Sequence, residues 1–188
     1  LVGSEMCIRD STGVTTAFVL SELGYKVTVF EKQRYPSIVT SYANGGQLSA
    51  SNAEVWNHFG TILKAVTWLL KKDAPLKINF WPNWHKLSWL AEFLLQTKNY
   101  KKNTIQTVKM AIESRKYMQK IVDDAGIEFD KSNCGILHIY KSHREFEHAH
   151  RVNELLALGG LERRRLTENE ILTIEPNLEK KFVGGYYT

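Results

Sequence analysis

Two residues near the start of the chain have the types and the spacing that bind a dinucleotide. Gly13 opens the helical stretch GVTTAFVLSEL, and Glu31 follows the short apolar run KVTVF. In a βαβ nucleotide unit, such a glycine lets helix and strand pack closely, while an acid further along accepts a hydrogen bond from ribose. Each residue alone fits an ordinary helix start or a solvated acid, but together they favour nucleotide binding. We include Lys32 among the cofactor-binding residues.

The glycine turn that usually precedes such a helix is missing. When Gly13 is taken as the third glycine of G-x-G-x-x-G, Ile8 and Asp10 occupy the first two glycine positions. Side chains there obstruct close backbone approach, and the Asp10 carboxylate opposes phosphate charge. Either the protein has lost its cofactor, or residues 1–11 are a non-native leader. We favour the leader, because the pattern holds from Thr12 onward and residues 1–11 resemble a translated sequencing-adapter junction.

A second candidate cofactor segment lies in the loop TSYANGGQLS, residues 40–49. Small side chains and exposed amides suit a backbone that closely approaches a flat ring or a phosphate. A plain surface turn is the alternative interpretation. The residues concerned are Ser41, Asn44, Gly45, Gly46 and Gln47.

The elements that position these residues follow from periodicity and capping signals. We predict a helix over 13–23 ended by Gly24, a strand over 26–30, and an irregular loop over 35–54. Helical periodicity then predicts three helices, over 60–72, 84–97 and 101–124.

The last third of the chain alternates strands and helices. Period-two patterns predict strands in IEFD (127–130) and GILHIYK (135–141), with His138 and Tyr140 on one face and Leu137 and Ile139 on the other. Two capping-box spacings open further helices, and FVGGYYT ends the chain with a strand signal. The capping pairs are Ser142 with Glu145, before a helix running to Gly159, and Thr167 with Glu170, before a helix stopped by Pro176.

The run GVTTAFVLSELGYKVTVFEKQRYPSIVTSYANGGQLS resembles the opening of dehydrogenase small subunits in the D-amino-acid oxidase-like family of FAD-dependent oxidoreductases. The similarity extends through DAPLKINFWPNW, NCGILHIY, LTENEILTIEPNL and VGGYYT. It implies an α/β FAD-binding domain of Rossmann-like fold, incomplete here, that is interrupted by an α+β substrate-binding domain. It also implies FAD contacts at Ser41, Asn44, Gly45, Gly46, Gln47 and Leu48.

We assign residues 12–55 to the FAD-binding domain and 56–188 to the substrate domain, helical over 60–125 with strands and helices over 127–188. Because family members are much longer, we expect an N-terminal fragment that is inactive alone. The resemblance implies oxidative deamination of D-amino acids, with hydride transfer from the α-carbon to flavin, giving a keto acid and ammonia. A glycine or sarcosine oxidase using oxygen, and a non-catalytic membrane-peripheral or interaction module, remain alternatives. We identify no catalytic residue.

Composition limits the partners. The net charge of +5 is spread among twenty acidic residues, which favours solvated helix faces over a nucleic-acid groove. Neither the two cysteines nor the six histidines have metal-ligand spacing, so we expect no metal site. No apolar run is long enough for a spanning helix, which predicts a cytoplasmic protein. Tryptophans and lysines interleaved over 56–89 fit helix packing and peripheral contact with the inner membrane face equally, and the resemblance allows a quinone acceptor.

Overall fold

The structure, a computed structural model, describes residues 11–35, 38, 41–42, 44–62, 81, 83–179 and 181–188. The chain divides into two compact units, Leu1–Leu48 and Ser49–Thr188. The first unit contains helix α1, Gly13–Glu22. Gly24 follows it with a φ of +84°, and its amide bonds the carbonyl of Ser21 at 3.0 Å. The predicted helix and its glycine stop are confirmed.

The predicted strand over 26–30 is wrong. Those residues have no regular secondary structure, and Phe30 is 91% exposed. A strand exists only where a neighbouring strand completes its hydrogen-bond ladder. No described segment of the first unit supplies that neighbour, so the apolar alternation of KVTVF has no pairing to stabilise it.

The helices of the second unit begin and end close to the predicted positions. Helix α2, Trp84–Leu95, is capped by the Asn83 side chain, which accepts a hydrogen bond from the His85 amide at 2.8 Å. A 3₁₀ turn, Gln96–Asn99, leads into helix α3, Tyr100–Ala125. Gly126 ends α3 with a φ of +60°. Of the predicted helix over 60–72, residues 60–62 are helical and the rest lies outside the described residues.

Three antiparallel strands form the sheet, in the order β1-β3-β2. They are β1 (Leu137–Tyr140), β2 (Arg164–Leu166) and β3 (Gly184–Tyr187). Strands β1 and β3 lie where the period-two signals predict them. The predicted strand over 127–130 is wrong, because the described sheet offers it no partner and its apolar residues Ile127 and Phe129 stay exposed.

Two further helices follow β1 and β2, and both use the predicted caps. Helix α4, His143–Leu158, begins where the Ser142 hydroxyl accepts a hydrogen bond from the Glu145 amide at 3.3 Å. Helix α5, Glu168–Ile174, has the complete reciprocal capping box between Thr167 and Glu170. None of the described helices combines the length and the apolar character needed to cross a bilayer.

The core of the second unit joins α3, α4 and the sheet. Val108 of α3 and Leu156 of α4 are fully buried in one cluster that includes Ala50 and Ala53. Complete burial of such side chains contributes about 1.5–3 kcal/mol each. A second cluster packs Phe146 of α4 against the sheet, and a third packs α5 there. The segment 50–53 is therefore fixed to the helices by apolar burial.

Gly185 permits the close approach of β3 to β1. A Cβ at this position would lie 2.4 Å from the His138 carbonyl oxygen and 3.0 Å from Ile171 Cδ1. We expect Gly185→Ala to lower the free energy of unfolding by about 1–3 kcal/mol, because backbone atoms must shift to admit the methyl group. Urea unfolding followed by circular dichroism measures the change.

Gly45→Ala is the matched control, since a Cβ there meets no atom within 4 Å. An unfolding free energy for Gly185→Ala equal to that of Gly45→Ala would contradict the close packing of β1 and β3.

Candidate functional site

In the first unit, the start of α1 meets the predicted cofactor loop. The hydroxyl groups of Ser11, just before α1, and Ser41, in the loop, lie 3.2 Å apart. Gly13 is half-buried at the first turn. Because the amides of a first helical turn attract anions, this contact brings the loop to the end of α1 that favours a phosphate.

The loop after Ser41 forms a turn with an open backbone. The Asn44 side chain accepts a hydrogen bond from the Gly46 amide at 2.7 Å and donates one to the Ser41 carbonyl at 3.4 Å. Gly46 has a φ of +61°, and a Cβ at either Gly45 or Gly46 would meet nothing within 4 Å. Gln47 and Leu48 are exposed. A flat or charged group therefore has room to approach this backbone.

The side chain of Glu31 bonds to the backbone two residues further along. Its Oε1 accepts a hydrogen bond from the Gln33 amide at 2.7 Å, which fixes the direction of the carboxylate. Lys32 beside it is exposed. The described contacts bring Ser41 to the start of α1 but do not join Glu31 to either of them. Binding of a nucleotide by these residues stays a prediction.

The second unit contains a cavity of about 260 Å³ that the sequence did not predict. Its walls come from the segment 51–54, from β1, from α4 and from Arg163 just before β2. Most of the side chains that line it are polar or charged: Ser51, Asn52, Glu54, His138, Tyr140, His148 and Arg163, with Ala149 and Val152 as the apolar part. Such a lining suits a small polar ligand.

Arg163 is the most buried charge in this wall, with 9% of its surface exposed. Its Nε donates to Asn153 Oδ1 at 2.9 Å, and one terminal nitrogen lies 3.5 Å from the Ala149 carbonyl oxygen. The guanidinium stacks 4.7 Å from the centre of the Tyr186 ring. Burial lowers the pKa of Arg163, while a hydrogen bond with Tyr140 raises it. Neutral hydrogen-bond partners hold the guanidinium in place, and the charge of Glu54 also raises its pKa.

His138 faces the cavity from β1. Its Nε2 lies 2.8 Å from the Ser51 hydroxyl, which in turn lies 2.7 Å from the hydroxyl of Ser49. Burial lowers the pKa of His138, and the charge of Arg163 lowers it further. The imidazole is therefore neutral near pH 7, and Arg163 supplies the positive charge of this wall.

Glu54, which also lines the cavity, is held by two side chains. The Tyr100 hydroxyl donates to Glu54 Oε1 at 2.6 Å, and His148 Nε2 lies 3.5 Å from the same oxygen. Burial first, and then this hydrogen bond, raise the pKa of Tyr100. The Val55 amide also reaches Thr104 Oγ1 at 3.5 Å, so α3 anchors the segment twice.

Glu54, His58 and His148 also form a group whose ligand atoms lie within 4.8 Å of one another, as a divalent metal requires. However, Arg163 and Arg151 place positive charge close to Glu54 and Tyr100. We therefore interpret Glu54 as anchored by Tyr100 and His148, and the absence of a metal site stays a prediction. Because the three residues are separated by up to ninety-four positions, no sequence spacing could have indicated the group.

The tryptophans near the start of the second unit are exposed where the structure describes them. Trp81 and Trp84 are 80% and 82% exposed, while Trp56 and Trp89 pack on Phe93 with ring centres 4.9 and 5.3 Å away. Trp68 lies outside the described residues. Helix packing thus accounts for two of the rings and leaves two on the surface.

Comparisons with known proteins give one consistent result. A family model described as FAD dependent oxidoreductase matches residues 11–188. The chain is 54% identical over 176 residues to D-amino acid dehydrogenase 3 of Mesorhizobium japonicum. It is 35% identical over 183 residues to D-amino acid dehydrogenase of Paramagnetospirillum magneticum, and 34% identical over 181 residues to that of Dechloromonas aromatica. Each match covers 94% of this chain and 43% of the relative, and no solved structure matches.

The environment of His138 makes stability depend on pH. Since the folded state lowers its pKa, the unfolded state binds the proton more readily. The stability that His138 contributes is therefore lost as the pH falls below about 6.5, and this loss is complete below its folded pKa. We expect urea unfolding at several pH values to show this loss, and His138→Gln to reduce its slope.

His143→Gln, on the exposed start of α4, is the control and should keep the slope of the original chain. If His138→Gln left the slope unchanged, the half-buried neutral imidazole would be disproved.

Proposed function

The chain belongs to the family of FAD-dependent oxidoreductases, and on that premise we propose that the whole protein oxidises D-amino acids. The observation that carries this proposal is the 54% identity to a D-amino acid dehydrogenase across 94% of the chain. The chain spans 43% of the length of that relative, so the activity, the substrate and the electron acceptor of the whole protein are proposals.

We infer that the first unit holds the adenosine and diphosphate parts of FAD. In this proposal the first turn of α1, from Gly13, faces the diphosphate, and the Glu31 carboxylate accepts a hydrogen bond from ribose. Lys32 lies beside that contact. The exposed backbone of the loop, reached through the Ser11–Ser41 contact, approaches the flavin. The loop contacts are Ser41, Asn44, Gly45, Gly46, Gln47 and Leu48.

When bound, FAD supplies the two-electron acceptor for the oxidation of a carbon–nitrogen bond. The substrate loses a hydride from its α-carbon and a proton from its amine, and the resulting imino acid is hydrolysed to a keto acid and ammonia. The protein's part is to orient the substrate and exclude water. If the amine is already neutral, no protein base is needed.

We further propose that the electrons pass to a quinone of the respiratory chain at the inner membrane face. The exposed rings of Trp81 and Trp84, next to the Lys86 ammonium that donates to the Trp81 carbonyl, support such a peripheral contact. Rings of this kind settle at headgroup depth while lysines meet anionic lipid. A glycine or sarcosine oxidase that uses oxygen is the alternative.

Flavin binding tests the cofactor site. We expect the double substitution Ile8→Gly and Asp10→Gly to increase FAD affinity, because it removes a carboxylate and a bulky side chain from the predicted phosphate turn. Adding Glu31→Gln to that variant should weaken FAD binding by about tenfold, since a charged hydrogen bond to ribose is lost. Flavin absorbance after gel filtration measures the bound cofactor.

Glu128→Gln, an exposed acid of the second unit, is the matched control and should leave FAD binding unchanged. A folded, colourless double variant that binds liposomes would favour the non-catalytic membrane module instead.

The electron acceptor distinguishes a dehydrogenase from an oxidase. In a protein of the relatives' full length that carries these residues, we expect D-alanine to reduce a quinone-like dye much faster than it produces peroxide. Steady-state assays that follow both products measure the ratio. Peroxide formed at the rate of substrate loss would instead favour the oxygen-using glycine or sarcosine oxidase.

A further inference from the structure

One side of helix α2 is apolar and faces solvent. Residues Trp84, Leu87, Ala91, Leu94 and Leu95 recur at the three- and four-residue spacing of one helical face, and we call them the apolar stripe. The four large side chains are 82%, 51%, 49% and 63% exposed, and no residue of α2 is buried within the described part of the chain. We propose that the apolar stripe lies in the headgroup region of a bilayer that contains anionic lipid.

The opposite side of α2 already has a packing partner. At 100° per residue, Trp89 and Phe93 lie roughly across the helix from the apolar stripe, and Trp56 packs on Phe93. A surface helix normally turns its apolar stripe toward the core and its polar residues toward water. Helix α2 instead has apolar residues on both sides. Contiguous exposed apolar surface of this kind marks an interaction site.

The charges that follow the apolar stripe indicate what it binds. Lys98, Lys101 and Lys102 are exposed, and the sequence has no acidic residue between Glu92 and Glu113. Lysines close to a membrane surface attract anionic lipid, and each strengthens binding by about fivefold. An apolar face beside a basic segment is therefore complementary to an anionic bilayer, which is apolar inside and negative at its surface.

The same lysines argue against a second copy of the chain as the occupant. Most protein dimers have twofold symmetry, so the same surface patch meets itself across the interface. A dimer formed through the apolar stripe would bring the lysines of both copies together, and like charges placed opposite each other weaken an interface. An anionic lipid surface has no such conflict.

The length of α2 suits a helix that lies flat on the membrane. Its twelve residues extend about 18 Å, whereas the hydrocarbon core of a bilayer is about 30 Å thick. Trp81 and Trp84 are located at its N-terminal end, and tryptophan rings settle at headgroup depth. We therefore expect α2 to be parallel to the membrane plane, with the apolar stripe toward the acyl chains.

This inference rests on the peripheral contact of the proposed function and names its helix and its lipid, but its test needs neither substrate nor electron acceptor. A protein of the relatives' full length that carries these residues is mixed with vesicles of phosphatidylcholine, alone or with phosphatidylglycerol. Flotation measures the bound fraction. We expect binding at least about tenfold tighter to the vesicles with phosphatidylglycerol, because several lysines meet anionic lipid. Added salt should reduce this difference.

Leucine substitutions test the apolar stripe. Leu87→Ser combined with Leu94→Ser should weaken binding to the anionic vesicles by about tenfold, because two leucines no longer enter the bilayer. The matched control combines Ile127→Ser with Leu158→Ser, which are 50% and 67% exposed outside α2, and should leave binding unchanged. Circular dichroism checks that each variant is folded.

Lysine substitutions test the charge. Lys98→Gln combined with Lys102→Gln should lower the affinity for anionic vesicles by more than about tenfold and leave binding to phosphatidylcholine alone unchanged. The matched control combines Lys26→Gln with Lys141→Gln, two exposed lysines away from α2, and should keep the preference for anionic lipid.

Three results would overturn the proposal. The first is equal binding to both kinds of vesicle, or an unchanged affinity of the leucine variant. The second is vesicle binding by the 188-residue chain but not by the full-length protein, since the rest of the protein would then cover the apolar stripe. The third is a dimer without vesicle binding that Leu87→Ser with Leu94→Ser converts to a monomer, which would assign the stripe to a second copy.

The membrane face and the proposed function can fail separately. Oxidation of D-alanine without vesicle binding would leave the dehydrogenase and remove the membrane face. Vesicle binding with the expected lipid preference, but without oxidation of D-alanine, would leave the membrane face and remove the proposed function.

Discussion

The close contact between β1 and β3 at Gly185 is the constraint on which the second unit depends. Because glycine lets the His138 carbonyl approach, β1 pairs with β3 over its whole length and places His138 and Tyr140 on one face. The opposite face carries Leu137 and Ile139 into the cluster with Ile171. This backbone contact thus fixes which side chains of β1 line the cavity, namely His138 and Tyr140, and which join the apolar core, namely Leu137 and Ile139.

The charged side chains that line the cavity are stable because other elements supply their hydrogen-bond partners. Helix α4 supplies Ala149 and Asn153 to Arg163, and β3 supplies the Tyr186 ring beneath it. Helix α3 supplies the Tyr100 hydroxyl to Glu54. Helix α4 contributes to both charges, through Asn153 for Arg163 and His148 for Glu54, so their positions depend on the packing of α3, α4 and the sheet. Preorganisation of this kind is what a small polar ligand requires.

Local signals in the sequence predicted most of the helices and two of the three strands. The capping box of Thr167 and Glu170 and the helix end at Gly126 depend on residues that are close in the sequence, so the sequence predicts them directly. The predictions of strands over 26–30 and 127–130 were wrong because a strand needs a partner strand, and alternating hydrophobicity alone does not identify one. Strand β2 was missed because its Arg164 and Arg165 are exposed and hide the pattern. The cavity was missed because the residues that line it are far apart in the sequence, and only the fold brings them together.

The order of the strands along the chain has a kinetic consequence. Since β3 is central in the sheet but follows β1 by more than forty residues, β1 and β2 have no shared edge to join until β3 arrives. Contacts between residues so far apart in the sequence form slowly, because closing the loop costs entropy before the strand pairing stabilises it. During synthesis, α3 and α4 can associate early through Val108 and Leu156, whereas the sheet closes late. We therefore expect the helices to pair before the sheet closes, a stage at which chaperones can engage the open strand edges.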